Sequence, residues 1–308
     1  MSSSPRLIPG SIPAKPPNVR LKNVLRRLAK CGPERQAIEA GEIDAVIDYS
    51  SSNVILFPAA RRAMREAANR ASAVSREAAN KASLANSLLG ALPHAEYQRL
   101  LTGLEPVTLK FGEVLHEQGV PIRYVYFPID SVICLLTKVE DQRALEVGLV
   151  GYEGMVGISL VLGADVSSVR TLVQAAGTAM RMKAARFRNE FRQCLSLQRE
   201  LYRYTYAKLA MARQSVACNR FHAIEARIAH WLLMISDRVP SNEIFLTQEF
   251  MADILGVRRT SVNKVASSFR QRNLISYSRG TIRILNREGL EAASCSCYTR
   301  IEGPHDSV

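Results

Sequence analysis

The sequence predicts an α+β protein in which a jelly-roll β-barrel is joined by a long helix to a C-terminal winged helix-turn-helix. Three observations predict it: short β-like runs between glycines from about residue 107 to 182, a helical stretch with a single apolar seam from Phe187 to about Ala217, and a helix–turn–helix–hairpin pattern over residues 246–285. A chain of 308 residues is long enough for two domains of ordinary size and an appendage. The expected division is an N-terminal extension (1–85), the β-domain (86–190), a dimerisation helix (191–218), the winged helix (219–290) and a C-terminal tail (291–308).

Along the extension, five prolines between Pro5 and Pro17 lie among serines and basic residues, a composition that forms neither helix nor central strand, so disorder is expected there. From Leu21 to about Asp48 the pattern predicts two short helices around the Cys31-Gly32-Pro33 break. Residues 59–86 read as an alanine-rich, charged helix with little apolar face. The stretch IEAGEIDAVI resembles a short segment that precedes sensory domains in some bacterial signalling proteins.

The composition changes at Leu88–Pro93. VTLKFGEVLHEQG, YVYFPID, SVICLLTKVE, ALEVGLVG and SVRTLVQAAGTAMRM then supply short strands separated by turn residues, with no intervening helices, which is the pattern of a barrel or jelly roll. In the helix that follows, Tyr202, Tyr206, Leu209 and Val216 recur at alternating four- and three-residue intervals, interrupted by Arg213. A helix with a single apolar seam either caps its own β-domain or pairs with a copy of itself; the nearly heptad spacing favours the second, so a homodimer is expected.

Within residues 246–285, Thr247 is the expected N-cap of a first helix with apolar Phe250, Met251, Ile254 and Leu255, and Gly256 ends it. A second helix starts near Arg259, with Val262, Val265 and Phe269 turned inward. Its outward residues are those that major-groove reading requires: Arg259 for bidentate bonding to guanine, Thr260, Asn263 and Lys264 for further base or backbone contacts. From Arg258 to Arg283 the stretch is rich in arginine and holds no acidic residue, a surface suited to phosphate. Strands on either side of Ser278-Arg279-Gly280 form the wing, with Arg279 at its tip. Double-stranded DNA is therefore the expected partner. The formal charge of +13 agrees with a polyanionic partner but does not choose one.

These features together resemble the CRP/FNR family of transcription regulators over about residues 88–302. HAIEARIAHWLLMISDRV followed by LTQEFMADILGVRRTSV is the most specific part, and FGEVLHEQG (111–119) carries the resemblance of the β-domain to the family's cyclic-nucleotide-binding-like domain. The resemblance implies that Arg259, Thr260 and Lys264 read bases and that Ser261 contacts phosphate. Threonine at 260 departs from the family's usual glutamate, so the family's common half-site is not implied. It further implies an effector pocket at Gly154-Met155 and Arg170-Thr171. Methionine stands where a cyclic-nucleotide binder has a glutamate for the ribose hydroxyl, and cannot accept that bond; the effector is expected to be an unidentified small molecule other than cyclic AMP. RNA polymerase is the remaining expected partner.

Other classes are weighed on the same residues. The six cysteines are too sparse for a disulfide scaffold, and Cys31 alone cannot hold an iron–sulfur cluster. Cys218, Cys295 and Cys297 offer an alternative redox- or metal-responsive regulator, but a Cys-x-Cys pair is a weak signal, and no metal site and no cofactor is assigned. A jelly-roll metalloenzyme needs several histidines close together in the β-domain, and His116 stands without a His-x-His partner. With no phosphate loop, nucleophile elbow or HExxH, no catalytic residues are assigned and no enzyme is expected. An RNA-binding module lacks exposed aromatics for stacking in the recognition segment. No apolar run long enough to span a membrane and no secretory signal is present, so a cytoplasmic location without membrane partner is expected.

Overall fold

The computed structural model describes residues 86–138, 144–241, 243–278 and 280–298, together with the backbone of 45–48 and 53–56. The expectations for residues 1–44 and the helix expected over 59–85 lie outside the described residues. Where the extension is described, Ala45–Asp48 (β1) and Asn53–Leu56 (β2) pair antiparallel, Ala45 opposite Leu56. The end of the stretch read as helical is thus a strand: the alternation of Val46 and Ile47 with their neighbours is too short to distinguish the two periods.

The β-domain begins with two short helices, Ser87–Gly90 (α1) and His94–Leu101 (α2). Asn86 caps the first by accepting from Leu89 N, and its amide donates to the carbonyls of Pro128 and Gly154. Seven strands follow: β3 (Glu105–Leu109), β4 (Val114–His116), β5 (Tyr124–Pro128), β6 (Val132–Lys138), β7 (Ala144–Val150), β8 (Arg170–Ala175) and β9 (Gly177–Lys183). They form two antiparallel sheets, β3-β9-β5 and β4-β8-β6-β7. Among the described residues the β-domain is a two-sheet roll, not a closed barrel. Leu109, Tyr126, Ile133, Val150, Val156, Val173 and Ala179 form a buried cluster drawn from both sheets.

Helical spacing from Phe187 predicts one continuous helix, but the structure has two, Ala184–Gln193 (α3) and Leu195–Phe221 (α4). Cys194 breaks them with an extended backbone (φ −115, ψ 97) and caps α4, its sulfur accepting from Leu197 N at 3.4 Å. Leu197, Leu201 and Tyr204 bury the inner face of α4 against the β-domain, leaving its other face free of that core.

The C-terminal part comprises α5 (Ile224–Ser236), β10 (Glu243–Phe245), α6 (Gln248–Ile254), α7 (Arg259–Gln271), β11 (Ile275–Ser278), β12 (Thr281–Ile284) and α8 (Arg287–Ala293). Its sheet order, β10-β12-β11, places a strand that the sequence reading missed, β10, on the far side of the hairpin. One buried cluster runs from Val132, Cys134, Leu136, Leu149 and Leu172 of the four-stranded sheet into Leu232, Phe250, Val262 and Phe269 of the helical part. Phe111 adds edge contact with Phe245 (ring centroids 5.0 Å apart). The two parts therefore share apolar packing and are not merely tethered by α4.

Candidate DNA-binding site

Thr247 caps α6, its hydroxyl accepting from Phe250 N at 3.1 Å. Gly256 ends that helix with φ +65, a left-handed value that costs glycine little, and a Cβ there would lie 3.0 Å from Leu145. Arg258 then stands in extended conformation at the N-cap of α7, without a side-chain cap bond. Val262, Val265, Ala266 and Phe269 are buried beneath α7, and this packing fixes which face of the helix meets solvent.

Arg258, Thr260, Asn263 and Lys264 are exposed on that outer face, while Arg259 and Ser261 are half-buried. The structure thus gathers six of the seven residues expected to meet DNA at the N-terminal end of one helix; the seventh, Arg279, lies outside the described residues. Arg259 is already engaged: its Nε lies 3.6 Å from Glu249 Oε2 on α6. Glu249, missed by the sequence reading, has a signal in hindsight, since it sits in the first turn of the helix that precedes the recognition segment. Behind the helix, β11 and β12 pair with Ser278 opposite Thr281, so the turn holds two residues, and Gly280 takes φ +75.

The expected effector residues are placed differently. Gly154 passes so close to α4 that a Cβ would lie 2.2 Å from the Tyr204 hydroxyl, and Met155 is buried in the cluster beneath α4. Thr171 accepts from His116 N at 2.8 Å, and Arg170 reaches Glu117 at 3.4 Å. None of the four lines the cavity of about 440 Å³ bounded by β7, α4 and α5, whose wall includes Glu146, Lys208 and Trp231. His116 Nε2 pairs with the Tyr124 carbonyl at 2.7 Å, a structural role rather than a ligand position.

Two carboxyls connect the β-domain to the helices. Glu146 accepts from Trp231 Nε1 at 2.9 Å while its Oε2 is buried without a hydrogen-bond partner. Burial pushes its carboxyl up to about 8, against the opposing pull of Trp231 and Arg238. Glu153 is buried too, which by itself would raise it. Lys208 (3.1 Å) and Arg238 (3.0 Å) outweigh that and hold it at about 2.

Along α4, Tyr202, Tyr206, Leu209 and Val216 are all exposed, Val216 to 71%. The break after the helix falls at His222 and Ala223, both with extended ψ, while Cys218–Arg220 are still helical. The weakly signalled thiols are gathered instead: Cys218, Cys295 and Cys297 form a buried cluster, joined by His222. Spacing could not show this contact, because it joins residues 77 apart.

A helix-turn-helix backed by a three-stranded wing, with a basic outward helix, defines a DNA-binding regulator, and residues 226–293 match the model of the Crp-like helix-turn-helix domain. The chain is 26% identical over 196 residues to the CRP-like cAMP-activated global transcriptional regulator of Mycobacterium tuberculosis, covering 61% of this chain and 87% of that one. Its fold is similar to that of FixK2 from Bradyrhizobium japonicum (TM-score 0.54, 15% identity, 63% of this chain and 98% of that one). It is also similar to that of a putative CRP/FNR-family regulator from Eubacterium rectale (TM-score 0.54, 16% identity, 67% and 97%). Residues 226–293 thus form a Crp-like helix-turn-helix domain, and the chain is similar to CRP-like transcription regulators. Among the described residues no helix is long and apolar enough to cross a membrane.

Proposed function

We propose that the protein binds a two-fold-symmetric DNA operator as a homodimer and regulates transcription there, in contact with RNA polymerase, in the cytoplasm. The observation that carries the reading is the N-terminal end of α7, where Thr260, Asn263 and Lys264 stand outward over a buried Val262–Val265–Phe269 stripe. In this reading Arg259, Thr260 and Lys264 meet base edges, while Arg258, Ser261, Asn263 and the wing residue Arg279 hold the backbone. Two chains pair through Tyr202, Tyr206, Leu209 and Val216, whose exposure together along α4 supports an apolar partner. The pairing sets two recognition helices about 34 Å apart, one turn of DNA, and two-fold symmetry makes the site palindromic.

The effector in this reading is a small molecule other than cyclic AMP. Support comes from Met155, which is buried and brings no acceptor for a ribose hydroxyl, and from Gly154, whose place is set by Tyr204. An effector acts by binding more tightly to one arrangement of the winged helix than to another. The protein is not an enzyme on this account. Selection of bound sequences from a random DNA pool, with and without cyclic AMP, tests the reading. Enrichment of the same palindrome in both arms is expected; enrichment only with cyclic AMP would refute the effector reading, and enrichment of none would refute the operator reading.

A further inference from the structure

We infer that Cys218, His222, Cys295 and Cys297 form a structural zinc site that clips the C-terminal tail to the end of α4. Cys218 and His222 lie one helical turn apart at the C-terminal end of α4, and Cys295 and Cys297 follow α8 on the tail. The four ligand atoms all lie within 4.8 Å of one another. Cys218 Sγ is 3.5 Å from Cys295 Sγ and 3.5 Å from His222 Nδ1, and Cys297 Sγ is 3.6 Å from the same nitrogen.

These separations are those of ligands around one tetrahedral ion. Zinc bound at about 2.3 Å to sulfur and about 2.0–2.1 Å to nitrogen sets sulfur–sulfur edges near 3.8 Å and sulfur–nitrogen edges near 3.5 Å. The atoms are too close to enclose a multinuclear cluster. At 3.5 Å the Cys218 and Cys295 sulfurs are also well beyond disulfide bonding, which requires about 2.05 Å. Three thiols and an imidazole select zinc over the hard cations. With all four positions filled by protein the site is closed, which makes it structural rather than catalytic.

The surroundings suit a thiolate-bound ion. Gln214 Nε2 donates to Cys297 Sγ at 3.0 Å, and His230 Nδ1 can donate to Cys295 Sγ at 3.3 Å. Such outer donors orient ligands and offset their charge. Three thiolates and one zinc leave a net negative charge, and the Arg227 guanidinium lies close enough to Cys218 and Cys295 to interact with it. The tail is brought to this place independently: the Tyr298 hydroxyl donates to Asp237 Oδ2 at 2.9 Å, and its ring meets His230 edge to face. Metal binding releases the thiol protons to solvent and changes no oxidation state.

The test uses the full-length protein, purified in reductant without chelator, and involves no DNA, so its failure is separate from failure of the operator reading. Elemental analysis is expected to find about one zinc per chain. After stripping, cobalt(II) is expected to give thiolate charge-transfer absorption that zinc abolishes. A Cys295→Ser/Cys297→Ser variant should lose both signals, Cys134→Ser should keep both, and Gln214→Ala should bind zinc about 10- to 100-fold more weakly. Wild-type protein that takes up neither metal, metal uptake unchanged in the double variant, or a Cys218–Cys295 disulfide persisting in reductant would overturn the site. Because wild-type stoichiometry decides the matter, a variant that misfolds does not shelter the proposal.

Discussion

Arg259, the residue proposed above to read a base, also has a partner within the chain. Glu249 lies 3.6 Å from its Nε, with both side chains about two-fifths exposed, so the pair contributes little to stability but holds the guanidinium over the end of α7. Replacing Arg259 with alanine is predicted to cost about 1–3 kcal/mol of operator binding and to relax preference at one base pair; competition binding against single-base operator variants checks it. Glu146 and Glu153 predict opposite pH responses. The folded pKa of Glu146, about 8, lies above its ordinary value, so its contribution is intact at low pH and is lost as pH rises through about 8. The folded pKa of Glu153, about 2, lies below the ordinary value, so its contribution is present above the ordinary carboxylate range and is lost as pH falls toward 2. Thermal melts across pH should show Glu146→Gln removing the alkaline decline and Glu153→Gln flattening the acid one.

At the scale of elements, the recognition unit was legible because each of its signals is local. Thr247, Gly256 and the Val262–Val265–Phe269 stripe act within a few residues of their own backbone, and the structure places all of them as their chemistry requires. Gly256→Ala is predicted to destabilise the fold by about 1–3 kcal/mol through its left-handed backbone, measurable by urea denaturation. The break at Cys194 was not legible, since its capping sulfur and its bond to Glu96 at 2.8 Å arise from tertiary contact. The same holds for β10, three residues long, whose only signal is a partner strand distant in sequence. The outer stripe of α4 carries a separate prediction. Leu209→Glu should shift the protein from dimer to monomer in sedimentation at micromolar concentration while leaving its helix content unchanged, because Leu209 is exposed in the single chain.

For the molecule as a whole, the sequence conveyed the order of the parts but not how they pack. The buried cluster shared by the four-stranded sheet and the winged helix joins residues from Val132 to Tyr298, and no periodicity within either part reveals it. The expected effector steps illustrate the same limit. The resemblance places an effector step at Gly154-Met155, and only the folded chain shows that Gly154 lies against Tyr204 and Met155 in the core beneath α4. A shared core means that any rearrangement of the recognition helices must disturb apolar packing, together with the Glu153–Lys208–Arg238 contacts that join the β-domain to α4 and α5. The thiol cluster, distributed over residues 218–297, is likewise a property of the folded chain alone.

If paired recognition helices read a palindrome by its sequence, salt-resolved binding separates that reading from charge attraction. Affinity would be measured for a selected palindrome and for the same duplex with one half-site scrambled, over a series of salt concentrations. A preference of at least about 10³-fold for the intact palindrome is expected, persisting as salt weakens both complexes. Equal affinities that fall together steeply with salt would contradict it, leaving only charge attraction between a basic surface and phosphate.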